Sequence, residues 1–130
     1  MEDKICLDTD FLVNFLRNKK EEVEFVREHE GKIVFATTFI NLFELYYGAY
    51  KSRIYENVKR LEELQYRLKV LNLSKESVKK AGQLLALLER SGNAIDFRDL
   101  LIGCVAQTED FCIKTNNKKH FQRIPELNVK

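Results

Sequence analysis

Apolar residues change their period repeatedly along this chain, and the changes mark out its elements. Ile5, Cys6 and Leu7 form a short apolar run that stops at Asp8-Thr9-Asp10, and a second apolar series starts at once. The first run, KICL over 4–7, predicts a short buried strand. The second, Phe11, Leu12, Phe15 and Leu16, predicts a helix over 11–18 capped by Asp10 or Thr9. Gly31 punctuates, and KIVFA over 32–36 predicts a second strand. Thr37 and Thr38 then precede FINLFELYYGAY over 39–50, a helical pattern with a stripe at Phe39, Phe43, Tyr46, Tyr47 and Tyr50. A long charged amphipathic helix is expected over 51–68, and KVLNL over 69–73 predicts a third strand. Ser74 is placed to cap a helix closed by Gly92, FRDLLIGCVAQT over 97–108 predicts another, and FCIKT over 111–115 a fourth strand. Pro125 precedes a final short strand, LNV over 127–129.

Strands alternating with helices predict an α/β domain around a mostly parallel sheet. Ligands of such sheets bind beyond the carboxyl ends of the strands. Asp8 stands at one such end and Thr115 to Asn117 at another.

Composition narrows the class. At 130 residues, the expectation is a single domain over 1–130, large enough to bury a core. Apolar residues at 45% and charged residues at 32% exclude a disordered chain, while one proline and five glycines favour long regular elements. No stretch reaches the roughly 18–20 apolar residues of a membrane span. The start, MEDKICLDTD, is too acidic for a signal peptide, so the expected location is cytoplasmic. Cys6, Cys104 and Cys112 are an odd count set in apolar surroundings, expected as reduced thiols. His29 and His120 pair with no cysteine at a zinc spacing. The net charge of +2 does not by itself announce a nucleic-acid binder. Neutralising three carboxylates with metal would leave a surface of about +5.

Three carboxylates interrupt apolar stretches that a core would otherwise explain. Asp8 ends the first strand, Glu44 sits inside the aromatic helix, and Asp99 adjoins the apolar run LLIGCVA. Asp96 precedes Asp99 by three residues, and Asn116 and Asn117 end the fourth strand. Burying an isolated carboxylate is expensive, and several together repel unless cations or protons intervene. Converging carboxylate oxygens are what magnesium or manganese requires. Each residue also has a plainer reading. Asp10 reads as a helix cap, Glu44 as a solvent-facing position, Asp96 as a charge complementing the helix dipole, and Asp99 as a first-turn acid. The aromatic stripe reads as core or subunit interface.

Four blocks in order carry a family resemblance: LDTDFLVNFLR, TTFINLFELYYGA, AIDFRDLLIGCVA and IKTNNKKHFQRI. Together they resemble the PIN-domain family, specifically the small VapC-type ribonucleases of prokaryotic toxin–antitoxin pairs. The T-x-N-x-x-H-F pattern after a strand is the most distinctive of them. The resemblance implies a three-layer fold, a mostly parallel β-sheet of four to five strands flanked by helices, with an acidic pocket for Mg2+ or Mn2+. Residue by residue, Asp8, Glu44 and Asp99 match the family's metal-binding acids. Asn117 falls where many members keep a fourth catalytic acid, a departure that lowers the site's charge. Thr9, Thr38 and Thr115 match hydroxyl positions that orient ligands around the metal, and Asp96 joins that outer ring. Arg98, Lys114, Lys118 and Lys119 are candidates for holding RNA phosphates, although NKKH also reads as a solvated turn. The implied chemistry is hydrolysis of RNA by metal-activated water, leaving a 5′-phosphate and a 3′-hydroxyl. The implied partners are RNA, a second copy in a homodimer, and a cognate antitoxin protein docked over the groove.

Two other readings stay open. LDTDF also resembles the opening of haloacid-dehalogenase-like phosphatases, with Asp8 as nucleophile and Asp10 as general acid. Alternatively, with Asn117 in place of an acid, the chain is a PIN-like module that binds RNA or protein without cutting. The sequence does not name the RNA.

Overall fold

The computed structural model describes residues 3–130. Four strands form one sheet: β1 (Asp3–Leu7), β2 (Ile33–Thr38), β3 (Lys69–Leu71) and β4 (Cys112–Lys114), in the order β3-β2-β1-β4. Every pairing is parallel, with Cys6 beside Ala36 on one side and beside Ile113 on the other. Parallel strands need crossovers, which the helices supply. These are α1 (Thr9–Leu16) and α2 (Lys20–His29) after β1, and α3 (Phe39–Lys51) and α4 (Tyr55–Gln65) after β2. The last three are α5 (Lys75–Arg90) and α6 (Phe97–Thr108) after β3, and α7 (Lys118–Phe121) after β4.

Strand periodicity splits the core in two. Ile5 and Leu7 face α1 to α4 and pack with Phe11, Leu12, Leu42, Leu61 and Leu64. Cys6, Ala36 and Ile113 point the other way, onto a second cluster with Leu84, Leu100, Val105 and Phe121. Helices thus cover both faces of the sheet, and the central strand reads as an unbroken apolar run because both its faces are buried. At Gly103 on α6, an added Cβ would overlap Ile124 Cδ1 and press on Leu127 and Phe121 at 3.2 Å. Any larger residue there would have to displace the Ile124 side chain where α6 meets the C-terminal segment.

Several boundaries differ from expectation, each for a physical reason. Helix α1 begins at Thr9, so its cap is Asp8 itself, while Asp10 lies exposed in the first turn. Helix α2, KEEVEFVREH, was not expected: it buries no residue fully, so its apolar stripe is thin. The helix expected over 51–68 is shorter, because Arg53 takes φ 59° and Ser52 Oγ accepts from Ile54 N. The expected fifth strand is a single parallel bridge between Ile113 and Val129. All three cysteines are free; Cys6 and Cys104 are buried and Cys112 is half-buried. Among the described residues, no helix is long and apolar enough to cross a membrane.

Candidate active site

The carboxyl ends of β1, β2 and β4 meet the first turns of α1, α3 and α6, and there the interior turns from hydrocarbon to polar groups. Asp8 is the hub. Its backbone N–H donates to Lys114 O at 3.0 Å, which pins it between β1 and β4. Its side chain, 7% exposed, accepts three hydrogen bonds. Oδ1 takes Thr9 N at 2.9 Å and Asn41 Nδ2 at 3.1 Å, and Oδ2 takes Thr115 Oγ1 at 2.7 Å. One carboxylate therefore caps a helix and centres the site.

Asn41 was missed in the sequence. It is fully buried, and both ends of its amide are saturated. Oδ1 accepts from Thr38 N at 3.2 Å and Thr38 Oγ1 at 2.7 Å, while Nδ2 donates to Asp8 and, at 2.9 Å, to Thr9 Oγ1. The signal was present: a capping-box position three residues after Thr38, on the same helix face as Glu44. Thr38 consequently serves Asn41 and the start of α3 and touches no carboxylate directly. The Thr9 hydroxyl donates a hydrogen bond to Glu44 Oε1 at 2.8 Å.

Asp99 enters from the first turn of α6. Its Oδ2 accepts from Asn117 Nδ2 at 3.1 Å and stands 3.0 Å from His120 Nδ1. Thr115 Oγ1 also accepts from Asn117 N at 2.9 Å, so one hydroxyl joins Asp8 to the loop that carries Asn117. His120 Nδ1 lies 2.8 Å from Asn117 Nδ2 as well. Unprotonated, that nitrogen accepts from Asn117; protonated, it donates to Asp99. His120, quoted in the T-x-N-x-x-H-F block without a role, is thus part of the site.

Electrostatics follow from this packing. Burial pushes the carboxyl of Asp8 up from its ordinary range, against the Thr115 and Thr9 hydrogen bonds, and the charges of Asp99 and Asp10 add to the rise. Glu44 is raised by burial too, with Thr9 and Arg98 opposing and Asp8 and Asp99 adding. Asp8, Glu44 and Asp99 thus sense one another. Yet among the described residues no three Asp, Glu, His or Cys side chains are gathered tightly enough to grip an ion as they stand. Each carboxylate instead accepts from its own side-chain donors, Asp8 from Asn41 and Thr115, Glu44 from Thr9, and Asp99 from Asn117. The donor set is nonetheless all oxygen, with no thiolate in contact, which fits a hard divalent cation such as magnesium or manganese.

The remaining expected residues divide. Asp96 does not join the ring around the carboxylates; it caps α6 through Arg98 N at 2.8 Å and pairs with the Arg98 guanidinium. Arg98 Nη1 reaches 3.9 Å from Glu44 Oε2, at the rim of the site. Lys114 turns away: its Nζ lies 4.8 Å from the Phe25 ring centroid, and the residue lines a groove shared with Glu21, Glu22, Glu24 and Glu28. Lys118 and Lys119 are exposed on α7.

The family model for the PIN domain matches residues 5–127. The chain belongs to the PIN-domain family. It is 32% identical over 126 residues to the tRNA(fMet)-specific endonuclease VapC of Shigella flexneri, covering 95% of this chain and 94% of that protein. Its fold is similar to that in the crystal structure of VapBC2 from Rickettsia felis bound to a promoter DNA fragment, with TM-score 0.88 and 29% identity over 98% and 97% of the two chains. DNA-bound VapBC from Salmonella typhimurium is similar at TM-score 0.86 and 29% identity, over 98% and 97%. Four parallel strands with helices on both faces match the α/β fold that the sequence resemblance implied.

Proposed function

We propose that this PIN-domain protein is a divalent-metal-dependent endoribonuclease, the toxin of a toxin–antitoxin pair, working in the cytoplasm as a homodimer of single 1–130 domains. The observation that carries the reading is the meeting of Asp8, Glu44 and Asp99, from three separate elements, around one polar centre. VapC relatives named as endonucleases, and structures of VapBC complexes, support both the RNA substrate and a cognate antitoxin partner.

In this reading Asp8, Glu44 and Asp99 hold the cation. The chemistry that bound magnesium or manganese supplies is activation of water and neutralisation of charge at the scissile phosphodiester. Everything else falls to the protein. Thr9 and Thr115 orient the oxygens of Glu44 and Asp8, Asn41 fixes Asp8 and Thr9 together, and Asn117 and His120 steady Asp99. Arg98 offers a cation to an RNA phosphate from the rim, and Lys118 and Lys119 extend that field from α7. The PIN-family match argues against the haloacid-dehalogenase-like alternative.

The Asn117 amide directed at Asp99 favours a second reading, a PIN-like module that binds RNA or protein without cutting. The two separate on one assay of a labelled structured RNA with manganese, with EDTA, and with Asp8→Asn. Metal-dependent cutting lost in the variant supports the nuclease; RNA retained but intact under every condition supports the module.

A further inference from the structure

We infer that Asp96 is a positioning residue for RNA, holding the Arg98 guanidinium at the rim of the carboxylate pocket with one edge free for a phosphate. This rests on the ribonuclease reading and gives Asp96 a role apart from the metal.

Asp96 grips Arg98 by three donors. Its Oδ1 accepts the backbone N at 2.8 Å and Nε at 3.2 Å, and its Oδ2 accepts Nη2 at 3.0 Å. That planar fork leaves Nη1 as the end pointing inward, 3.9 Å from Glu44 Oε2 and beyond hydrogen-bond reach. The side chain is half exposed, so solvent and substrate both reach it. Among the described residues, Arg98 is the only lysine or arginine that pairs with one of the three central carboxylates. A free arginine beside three acids would fold onto them, spending its charge on Glu44 and Asp99. Tied to Asp96, it meets Glu44 only at ion-pair distance, with no hydrogen bond from Nη1, and loses less rotamer freedom when a phosphate arrives. The hydrogen bonds from Arg98 hold the Asp96 carboxyl below its ordinary range, and Asp96 in turn raises Arg98.

The sign of one substitution separates positioning from bulk charge. Removing a negative charge near the site should by itself tighten RNA binding. If Asp96 positions Arg98, Asp96→Asn should weaken it, although the amide oxygen still caps α6 by accepting from Arg98 N. The probe is a fluorescein-labelled single-stranded oligoribonucleotide, its anisotropy followed in EDTA at stepped salt concentrations. Arg98→Gln is expected to weaken binding about 5-fold and to flatten the salt dependence by about 0.7 in log–log slope, the value of one single-strand phosphate contact. Asp96→Asn is expected to lose a similar factor with its Tm unchanged, and to add nothing in the Arg98→Gln background. Unchanged or tighter binding by Asp96→Asn, with the unaltered protein still binding, overturns the inference alone. Unchanged binding by Arg98→Gln overturns it too, and leaves the guanidinium for the carboxylates of a protein partner. No binding or cutting of RNA by the unaltered protein overturns the ribonuclease reading, and this role with it.

Discussion

The central strand β1 and the residue that follows it obey opposite rules. From Ile5 to Leu7, β1 is enclosed on both faces by hydrocarbon, and its register follows from area removed from water. At Asp8 the burial is nearly as complete, but three hydrogen bonds hold the carboxylate and burial pushes it toward its protonated form. The apolar stretch is stable because it is buried; the polar end is buried at a cost that other groups offset. That difference is the usual mark of a site, since a carboxylate kept in such a place gains from a cation more than a surface carboxylate would.

The largest effect is expected at Asp8. Asp8→Asn is expected to lower RNA cleavage by about 100-fold or more while the chain still folds, since the amide keeps a cap oxygen for Thr9 N. The loss is read as initial rate under saturating manganese, with circular dichroism as the folding control.

Asn41→Ala comes next and moves both stability and activity. It leaves Thr38 N–H and Oγ1 without their acceptor and strips a donor from both Asp8 and Thr9. The expected cost is about 1–3 kcal/mol in denaturant melts, with activity down about 10-fold or more as the carboxylate loses its orientation. On the apolar side, Gly103→Ala should cost about 1–3 kcal/mol through overpacking against Ile124. Its specific activity, per folded molecule, should stay near the parent's. A fall in activity without a fall in stability would erase the distinction between the two regions.

The raised carboxyls give the comparison a pH dependence. Asp8 and Glu44 both lie above their unfolded values, with burial as the first cause. Their protonation therefore stabilises the fold fully below the ordinary carboxylate pKa, about 4. That contribution is lost as pH rises through the raised values. The lowered Asp96 acts in the opposite sense, but it is exposed and screened. Metal-free protein should thus gain less than usual on going from mildly acid to neutral pH, and manganese should raise Tm most at neutral pH. Thermal melts across pH, with EDTA and with manganese, read this directly; Asp99→Asn should abolish the metal's effect. The smallest effect belongs to Asp10→Asn. Exposed beside the hub and making no cap, it should shift stability by less than about 0.5 kcal/mol and leave cleavage unchanged.

The apolar region was legible in the sequence because period alone specifies it. KICL, KIVFA and FCIKT fall on β1, β2 and β4, and the alternation with helices predicts the parallel sheet. The elements misjudged were those with weak periodicity: the charged α2, the break at Arg53, and the lone bridge at Val129. At the site, the carboxylates stood out because an acid in an apolar run needs a reason. The groups that hold them did not, since an amide or a hydroxyl among apolar residues breaks no pattern. Asn41 sits unmarked inside the helical pattern over 39–50, and His120 lies in the NKKH stretch that also reads as a solvated turn. The cap was misassigned by the same logic: Asp10 and Asp8 are chemically alike, and only tertiary contacts to Asn41 and Thr115 decide which carboxylate is turned inward.

Whether the buried carboxylates hold a working cation decides what this site does. The direct measurement is cleavage of an end-labelled structured RNA by purified, antitoxin-free protein, with manganese, with EDTA, and with Asp8→Asn. Cutting that requires manganese and disappears in the variant is the predicted result. Cutting that survives EDTA or the loss of Asp8, or RNA left intact under every condition, would contradict it.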